Sequence, residues 1–176
     1  MAESSLSIGF PELQVEVGDF LGYGRTPSWS TAREARIDSI VQSGVRRVYY
    51  PPGVSDKISG YEWSWLQPTT TLAVVSGTSD YDLPDDFGRL VGPFHFPAEE
   101  YRKPVIEVSV SKILQLRTYS FQTGGPYYVA TRFKSSDGSG GQRQEALFFP
   151  EPDEAWTMIY EYEAYNSALS DSFPYP

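Results

Sequence analysis

The hydrophobic period of the sequence changes near residue 51. Before that point, apolar residues recur at the three- and four-residue spacing of amphipathic helices; after it, they fall in short segments bounded by Pro, Gly and Asp. A helical period does not suit a strand, nor an alternating period a helix, because each would carry apolar side chains into solvent. The chain is therefore predicted to be α+β, with an N-terminal helical pair followed by an antiparallel β-domain.

Two amphipathic helices are predicted before this change. The first lies in FPELQVEVGDFLGYG, where Pro11 is tolerated because the first turn of a helix does not use its missing N–H. The second lies in TAREARIDSIVQSGVRRVYYPP, where Thr31 and Glu34 predict a capping box and Pro51 ends the helix. These segments are too short to bury both apolar stripes, so we expect the stripes to meet the β-domain or another chain.

Segments rich in Val, Tyr, Phe and Thr follow residue 60 and predict a β-sandwich or barrel-like domain, with one short helix at 109–117. YYVATRF and QEALFF, separated by the glycine-rich SSDGSGGQ, predict a hairpin. The predicted strands are 61–66, 70–75, 79–83, 91–96, 104–109, 127–133, 144–149 and 156–164. The predicted domains are a helical segment at 1–58, the β-domain at 59–166 and a tail at 167–176.

The stretch YEWSWL carries Tyr61, Trp63 and Trp65 at alternate positions, which share one face if the segment is a strand. Such a face either packs in the core or offers a stacking platform for sugars. Solvent-facing aromatics would turn Glu62 into the core, so the alternation favours burial of the aromatics. The predicted core residues of the β-domain are Trp63, Trp65, Tyr81 and Trp156.

Acidic residues are concentrated in the second part of the chain. The formal net charge is -9; residues 1–60 hold 7 acidic and 6 basic residues, whereas residues 61–176 hold 16 acidic and 8 basic ones. Carboxylates at this density repel phosphate and remove the counterion release that drives binding to nucleic acids. We therefore expect no tight binding of nucleic acid, and this charge would let DNA pass without being held.

Cysteine is absent, which excludes disulfides and thiolate metal sites. No apolar run approaches the ~18 residues that cross a bilayer, so we expect no membrane partner. The N-terminus, MAESSLSIGF, lacks the basic start and apolar core of a secretion signal, so we expect no export.

No catalytic constellation is predicted. His95 is the single histidine, which rules out a histidine-paired metal site and a serine triad. DYDLPDDFG, at 80–88, collects four aspartates, but Pro84 interrupts it and no glutamate closes it as in a calcium loop. Glu161 and Glu163 alternate with tyrosines, which is typical of a half-buried strand. We predict no enzyme activity, no metal and no cofactor; a glycosidase using paired carboxylates is a third possibility after the two functions below.

Several segments follow one another in a recognisable order. A helical stretch ending in proline precedes YEWSWLQPTTTLAVVSGTSDYDLPDDFGRLVG, and then come GGPYYVATR, QEALFFPEPDEAWTMIYEYEAY and a proline-containing tail. This order resembles the head-to-tail adaptor, or neck, proteins of tailed bacteriophages. The tryptophan-bearing strand, the Y-x-LP-x-DFG turn and the FFPEPD…YEYEA hairpin carry the resemblance, which covers most of residues 30–170.

The resemblance implies a structural protein of the virion, located in the neck between the capsid portal and the tail and assembled in the host cytoplasm. It implies a ring, commonly of twelve subunits, that binds the portal protein, extends the DNA channel and docks a tail or nozzle protein. Genomic DNA would pass through the ring without specific binding. The alternative function is a carbohydrate-binding β-sandwich that uses the aromatic strand face.

The second predicted helix carries a cluster of basic residues, while the β-domain is acidic. In a ring, each subunit could present this helix to the acidic flank of its neighbour, in a head-to-tail contact that closes when the rotation allows. The predicted subunit or portal interface consists of Arg33, Arg36, Arg46 and Arg47.

Overall fold

The chain divides into two compact units, one formed by residues 1–63 with 166–176 and the other by residues 64–165. The computed structural model describes residues 7–25, 28–53, 60–100, 102–134, 143–165 and 168–170. Within these ranges the fold has three α-helices and seven strands in two sheets, and it is α+β, which confirms the predicted class.

The helical unit contains α1 (Phe10–Phe20) and α2 (Thr31–Tyr49), at the positions that the sequence predicts. The apolar cluster between them has a buried centre of Phe10, Ile37, Val41 and Leu169. The side chain of Gln42 donates to the carbonyl of Leu169 (2.6 Å) and accepts from its N–H (3.1 Å). These paired bonds fix the segment around Leu169 on α2.

The predicted capping box at the start of α2 is wrong. Thr31 is already the first helical residue, and the N-cap is Ser30, whose side chain makes no capping hydrogen bond. A reciprocal cap instead needs the hydroxyl residue outside the helix, three positions before its glutamate partner. In α1 the glutamate half of such a cap is present, because the N–H of Gly9 donates to Glu12 Oε2 at 3.0 Å.

The β-unit consists of two sheets and one helix. Its elements are β1 (Thr69–Val74), β2 (Asp80–Asp82), β3 (Phe87–Leu90), β4 (Ile106–Glu107), α3 (Val110–Tyr119), β5 (Tyr128–Phe133), β6 (Gln144–Phe149) and β7 (Trp156–Ala164). One sheet has the order β1-β7-β3 and the other β2-β6-β5-β4. All named pairings are antiparallel except β4 with β5, which are parallel.

The main core of the β-unit combines side chains from both sheets. Phe94 stacks on Tyr160 of β7 with ring centroids 4.4 Å apart and meets Phe148 of β6 edge-on at 5.3 Å. The opposite face of the four-stranded sheet packs on α3, where Ile113 contacts Leu147 in a second buried cluster. The four-stranded sheet is therefore covered on both faces.

The strand predictions hold best for the long segments. β1, β2, β5, β6 and β7 lie where the sequence predicts strands, and α3 confirms the short helix. The segment predicted as 61–66 is not a strand, because 64–66 form a turn of 3-10 helix. The strand predicted at 91–96 is also wrong: β3 ends at residue 90, and only bridges at Phe94 and His95 follow. The glycine-rich tip, 135–142, lies outside the described residues.

The four predicted core residues have different positions. Trp156 is buried and Tyr81 packs at the edge of the same core. Trp65 is 59% exposed, so its prediction as a core residue is wrong. Trp63 is half-buried and belongs to the helical unit, where its Nε1 donates to the carbonyl of Val48 at 2.7 Å. The burial error follows from the strand error, because a helical turn does not alternate its side chains between two faces.

We predict that Trp156→Ala lowers the free energy of unfolding by about 3–5 kcal/mol, because it removes a large buried ring from a close-packed core. Trp65→Ala is the matched control, and its cost should stay near the ~0.5 kcal/mol of ordinary surface substitutions. Urea denaturation of both variants measures the difference. Equal midpoints for the two variants would contradict the placement of Trp156.

Candidate interaction surfaces

The four arginines predicted as an interface all lie on α2 and are exposed, but they do not share one side of the helix. Helical spacing puts Arg36 and Arg47 on the same side as Ile40, four residues after the first and seven before the second. Arg46 follows Gln42 by four residues and shares the side on which Gln42 holds its main-chain partner. Adjacent arginines at the end of α2 therefore point in different directions.

Local interactions favour a basic residue at Arg33 and at the adjacent Arg46 and Arg47. Arg33 places its guanidinium carbon 4.9 Å from the ring centroid of Tyr23, which is the geometry of a cation–π contact. Arg46 and Arg47 lie in the last turn of α2, where the carbonyl ends of the helix favour positive charge. These contacts stabilise individual arginines on α2, but they do not explain why the helix carries four of them.

An apolar groove of about 400 Å³ lies between α1 and α2; we call it the helical groove. Two of the large side chains that line it, Ile40 and Val48, are substantially exposed. Arg36 and Arg47 flank the α2 side of the groove by helical spacing. An exposed apolar surface with a charged rim is typical of an interaction site. The lining residues are Leu13, Val17, Ile40, Val41, Gly44, Val45, Val48 and Tyr49.

Gly44 lies in the middle of this groove. Glycine costs about 1 kcal/mol relative to alanine in a helix interior. A Cβ atom built at Gly44 meets no atom within 4 Å, so packing inside the described helical unit does not require glycine at this position. Glycine deepens the groove, because the α2 wall has no side chain at this one position.

The aspartates of DYDLPDDFG each have a structural partner. Asp80 accepts from Arg117 at 2.6 Å, and Asp82 accepts from Lys134 at 2.6 Å. Asp86 accepts from the hydroxyl of Tyr162 at 3.0 Å. Asp85 lies 3.5 Å from Arg143. These partners are three cations and one hydroxyl on separate residues, so the carboxylates do not converge on one point. They tie β2 and the following turn to α3, β5 and β7.

A further ion pair lies partly inside the four-stranded sheet. Glu145 of β6 is buried, and its Oε1 accepts from Arg132 Nε of β5 at 2.6 Å. Arg132 and Glu145 are direct cross-strand partners, and Asp82 of β2 is opposite Glu145 on the other side. A buried carboxylate needs such a partner, because an unpaired buried charge is expensive. The cations of this sheet are thus engaged in internal ion pairs.

A second charged surface lies at the turn between β6 and β7. It contains Glu151, Asp153 and Glu154, and we call it the acidic turn. The N–H of Glu151 donates to the carbonyl of Gln122 at 3.0 Å, and the N–H of Gly124 donates to the carbonyl of Glu151 at 2.9 Å. These main-chain bonds hold the acidic turn beside the segment that follows α3.

The end of α3 and the residues after it present two aromatic side chains that are not among the site residues predicted from the sequence. Tyr119, the last residue of α3, is 80% exposed, and Phe121 is 81% exposed. We call this pair the aromatic tip. The sequence did carry a signal for this pair, because two large aromatics stand at the end of a predicted helix. They could be buried there only if the chain turned back over them. Here the described part of the chain leaves both rings exposed.

The alternating aromatics of YEWSWL do not build a stacking platform on a strand. Tyr61 and Trp63 contact each other edge-on, with ring centroids 4.6 Å apart and planes at 71°. Trp65 lies in the 3-10 turn that follows. A sugar platform needs rings presented face-on along one strand face, and this segment is not a strand. The strand face on which the carbohydrate-binding alternative depends is therefore absent.

The described residues contain no group of three or more His, Cys, Asp or Glu side chains that could hold a metal ion. His95 forms an antiparallel bridge with Ile159 through its main chain, with N–H to carbonyl distances of 2.8 and 2.9 Å. Glu163 pairs with Arg89 at 2.5 Å across β3 and β7. Among the helices of the described chain, none has the combined length and hydropathy to span a bilayer.

Burial perturbs the tyrosines of β7. Desolvation, followed by the hydrogen bond to Asp86, raises the pKa of Tyr162 to about 12. Desolvation also raises the pKa of Tyr160, which is buried in the same row. Both shifts favour the neutral phenol and mark these hydroxyls as parts of the core. They do not place a reactive base at an exposed site.

A comparison with protein families matches residues 10–176 to a family described as SU10 adaptor protein. A comparison with curated proteins found no match.

We predict that calcium does not raise the melting temperature. A ligand that binds the native state must stabilise it, and the carboxylates of 80–86 are already committed to separate partners. Differential scanning calorimetry with calcium chloride, against magnesium chloride at equal ionic strength, tests this. A calcium-specific rise of several degrees would overturn the assignment of these aspartates.

The stability of the protein should fall as pH rises from about 10 towards 12. The raised pKa of Tyr162 means that the folded state holds this proton at pH values at which an ordinary tyrosine, with a pKa of 10.0, ionises. The contribution is complete below pH 10 and is lost through about pH 12. Urea unfolding of the parent and of Tyr162→Phe across this range measures it, and parallel pH profiles would contradict it.

Proposed function

We propose that this chain, which belongs to the SU10 adaptor protein family of phage head-to-tail adaptors, binds the portal protein as a ring and connects it to the tail. The observation that supports this most strongly is the family match over residues 10–176, which spans both compact units. The family assignment makes the protein a structural component of a phage virion, and we propose that it has no enzymatic activity.

Within this proposal, the β-unit extends the DNA channel and offers a surface to a tail or nozzle protein. Residues 64–165 carry 14 acidic and 8 basic residues, and internal ion pairs engage Arg89, Arg117, Arg132 and Lys134. Few cations are left to grip phosphate, which suits a channel through which DNA must slide. The genome would therefore pass without specific binding.

The helical unit provides the assembly surface in this proposal. α2 carries Arg33, Arg36, Arg46 and Arg47 against two acidic residues, Glu34 and Asp38, so the helix is basic in an acidic protein. The helical groove adds apolar surface next to these charges. We propose that the exposed surface of α2 contacts the portal or a neighbouring subunit. The ring would contain twelve copies, and assembly would take place on the portal in the host cytoplasm.

We expect the free chain to be monomeric or weakly associating and to form a ring on a portal template. Native mass measurement of the purified chain, alone and after mixing with purified portal ring, tests this. A parent chain that fails to join the portal ring would contradict the proposed function.

The double variant Arg46→Glu with Arg47→Glu should slow assembly on the portal, on the order of tenfold, because rim charges chiefly set the association rate. Its circular dichroism spectrum should match that of the parent, since both side chains are exposed. Its melting temperature should fall only by a few degrees, because each arginine loses an interaction with the carbonyl end of α2 worth about 0.3–1 kcal/mol. The rate is measured by light scattering at physiological salt. Assembly at the parental rate would exclude this part of α2 from the interface.

A further inference from the structure

The helical groove and the aromatic tip have complementary shapes. The groove is concave, apolar and open above Gly44, and its volume of about 400 Å³ lies in the range of pockets that enclose small ligands, so it can take more than one side chain. The tip presents Tyr119 and Phe121, two aromatic rings that the described chain leaves exposed. Among the described residues, an open apolar groove and two exposed aromatic rings thus occur on the same polypeptide.

The charge on the α2 side of the groove is opposite to that of the acidic turn. Arg36 and Arg47 flank the α2 side of the groove, whereas the acidic turn lies beside the tip. The only basic residue in the last turn of α3 is Arg117, and its charge is engaged by Asp80 at 2.6 Å. The acidic turn therefore places carboxylates near the tip, and the carbonyl end of α3 adds negative charge there.

We propose that the helical groove of one subunit receives the aromatic tip of a second copy of this chain, with the acidic turn of that copy placed over Arg36 and Arg47. This inference rests on the proposed ring and names the residues that meet in it. Because the two surfaces are different parts of the chain, the contact is head to tail and leaves one groove and one tip free at the ends until the ring closes.

The size of the contact explains why a template is needed. An aromatic side chain contributes about 150–250 Å² of buried area, so the tip supplies roughly 300–500 Å². A stable interface usually buries about 800 Å² on each partner. One groove-and-tip contact alone is therefore weak, and it becomes persistent only when a portal ring holds neighbouring copies together.

Cysteine cross-linking tests the contact directly, because the chain has no cysteine of its own. Gly44→Cys is made in one preparation and Phe121→Cys in another, so that each copy carries one thiol and the tip keeps the ring of Tyr119. The Gly44 position has open space for the new side chain. A disulfide forms only when the two Cα atoms come within about 4.4–6.8 Å. The mixed preparation is oxidised mildly, both free at high concentration and on the portal ring.

The mixture should yield covalent dimers at least fivefold above either preparation alone, with the larger yield on the portal ring. The matched control replaces Gly44→Cys by Arg46→Cys, which places the thiol on the other side of α2, and should give only the background yield. Cross-linking of Gly44→Cys with itself at the level of the mixture would show that the groove pairs with another groove, and would overturn the proposal. A mixture that joins the portal ring without cross-linking above the control would also overturn it, while leaving the proposed function intact.

Single charge reversals separate the two adjacent arginines. Arg47→Glu, introduced with Gly44→Cys, should lower the rate of cross-linking to Phe121→Cys several-fold, and Arg46→Glu should leave the rate unchanged. Adding Asp153→Lys and Glu154→Lys to the Phe121→Cys partner should restore the rate for Arg47→Glu. Equal effects of the two reversals, or no rescue, would contradict the charge pairing. Failure of the parent to join the portal would count against the proposed function alone, because the cross-link in free solution still tests the contact.

Discussion

The alternation of β7 is the constraint on which the β-unit depends. This strand lies at the centre of its sheet, pairs with β1 and β3, and directs every second side chain into the core. A shift of one residue would bring Glu161 and Glu163 inward and carry the aromatic row to the surface. The stacking of Tyr160 on Phe94 and of Tyr162 on Phe87 further specifies the register. The buried side chains of this row are Trp156, Met158, Tyr160, Tyr162 and Ala164.

The sequence predicts those elements whose local pattern is long. Nineteen residues with a helical stripe predict α2, and nine alternating residues predict β7, because a competing structure would expose many apolar groups. YEWSWL is too short to distinguish two structures by its pattern, because its three alternating aromatics are compatible with both a strand and a tight turn. The segment 91–96 fails for another reason: Pro93 lacks the N–H that a continuous ladder requires. The parallel pairing of β4 with β5 joins two strands that are separated in sequence by α3, so no local pattern predicts it.

The candidate interaction surfaces were predictable in composition but not in arrangement. The sequence identifies four arginines on one helix, and only the helical geometry combined with the contacts of Gln42 separates Arg46 from Arg47. The groove requires α1 alongside α2, which is a tertiary relation. The carboxylates of 80–86 show the same limit, because Asp80 and Arg117 are 37 residues apart in sequence. Charge counts predicted the acidity of the β-unit, whereas the pairing that leaves its cations occupied could be seen only in the fold.

The position of Leu169 has a consequence for synthesis of the chain. Leu169 is part of the buried cluster of the helical unit, and it bonds to Gln42, which precedes it by 127 residues. At translation rates of roughly 5–20 residues per second, Gln42 is added to the chain roughly 6–25 seconds before Leu169. The whole β-unit is synthesised in that interval and can fold first. The helical unit is therefore completed only after the β-unit has been synthesised. Nascent chains that end before Leu169 lack a finished helical unit.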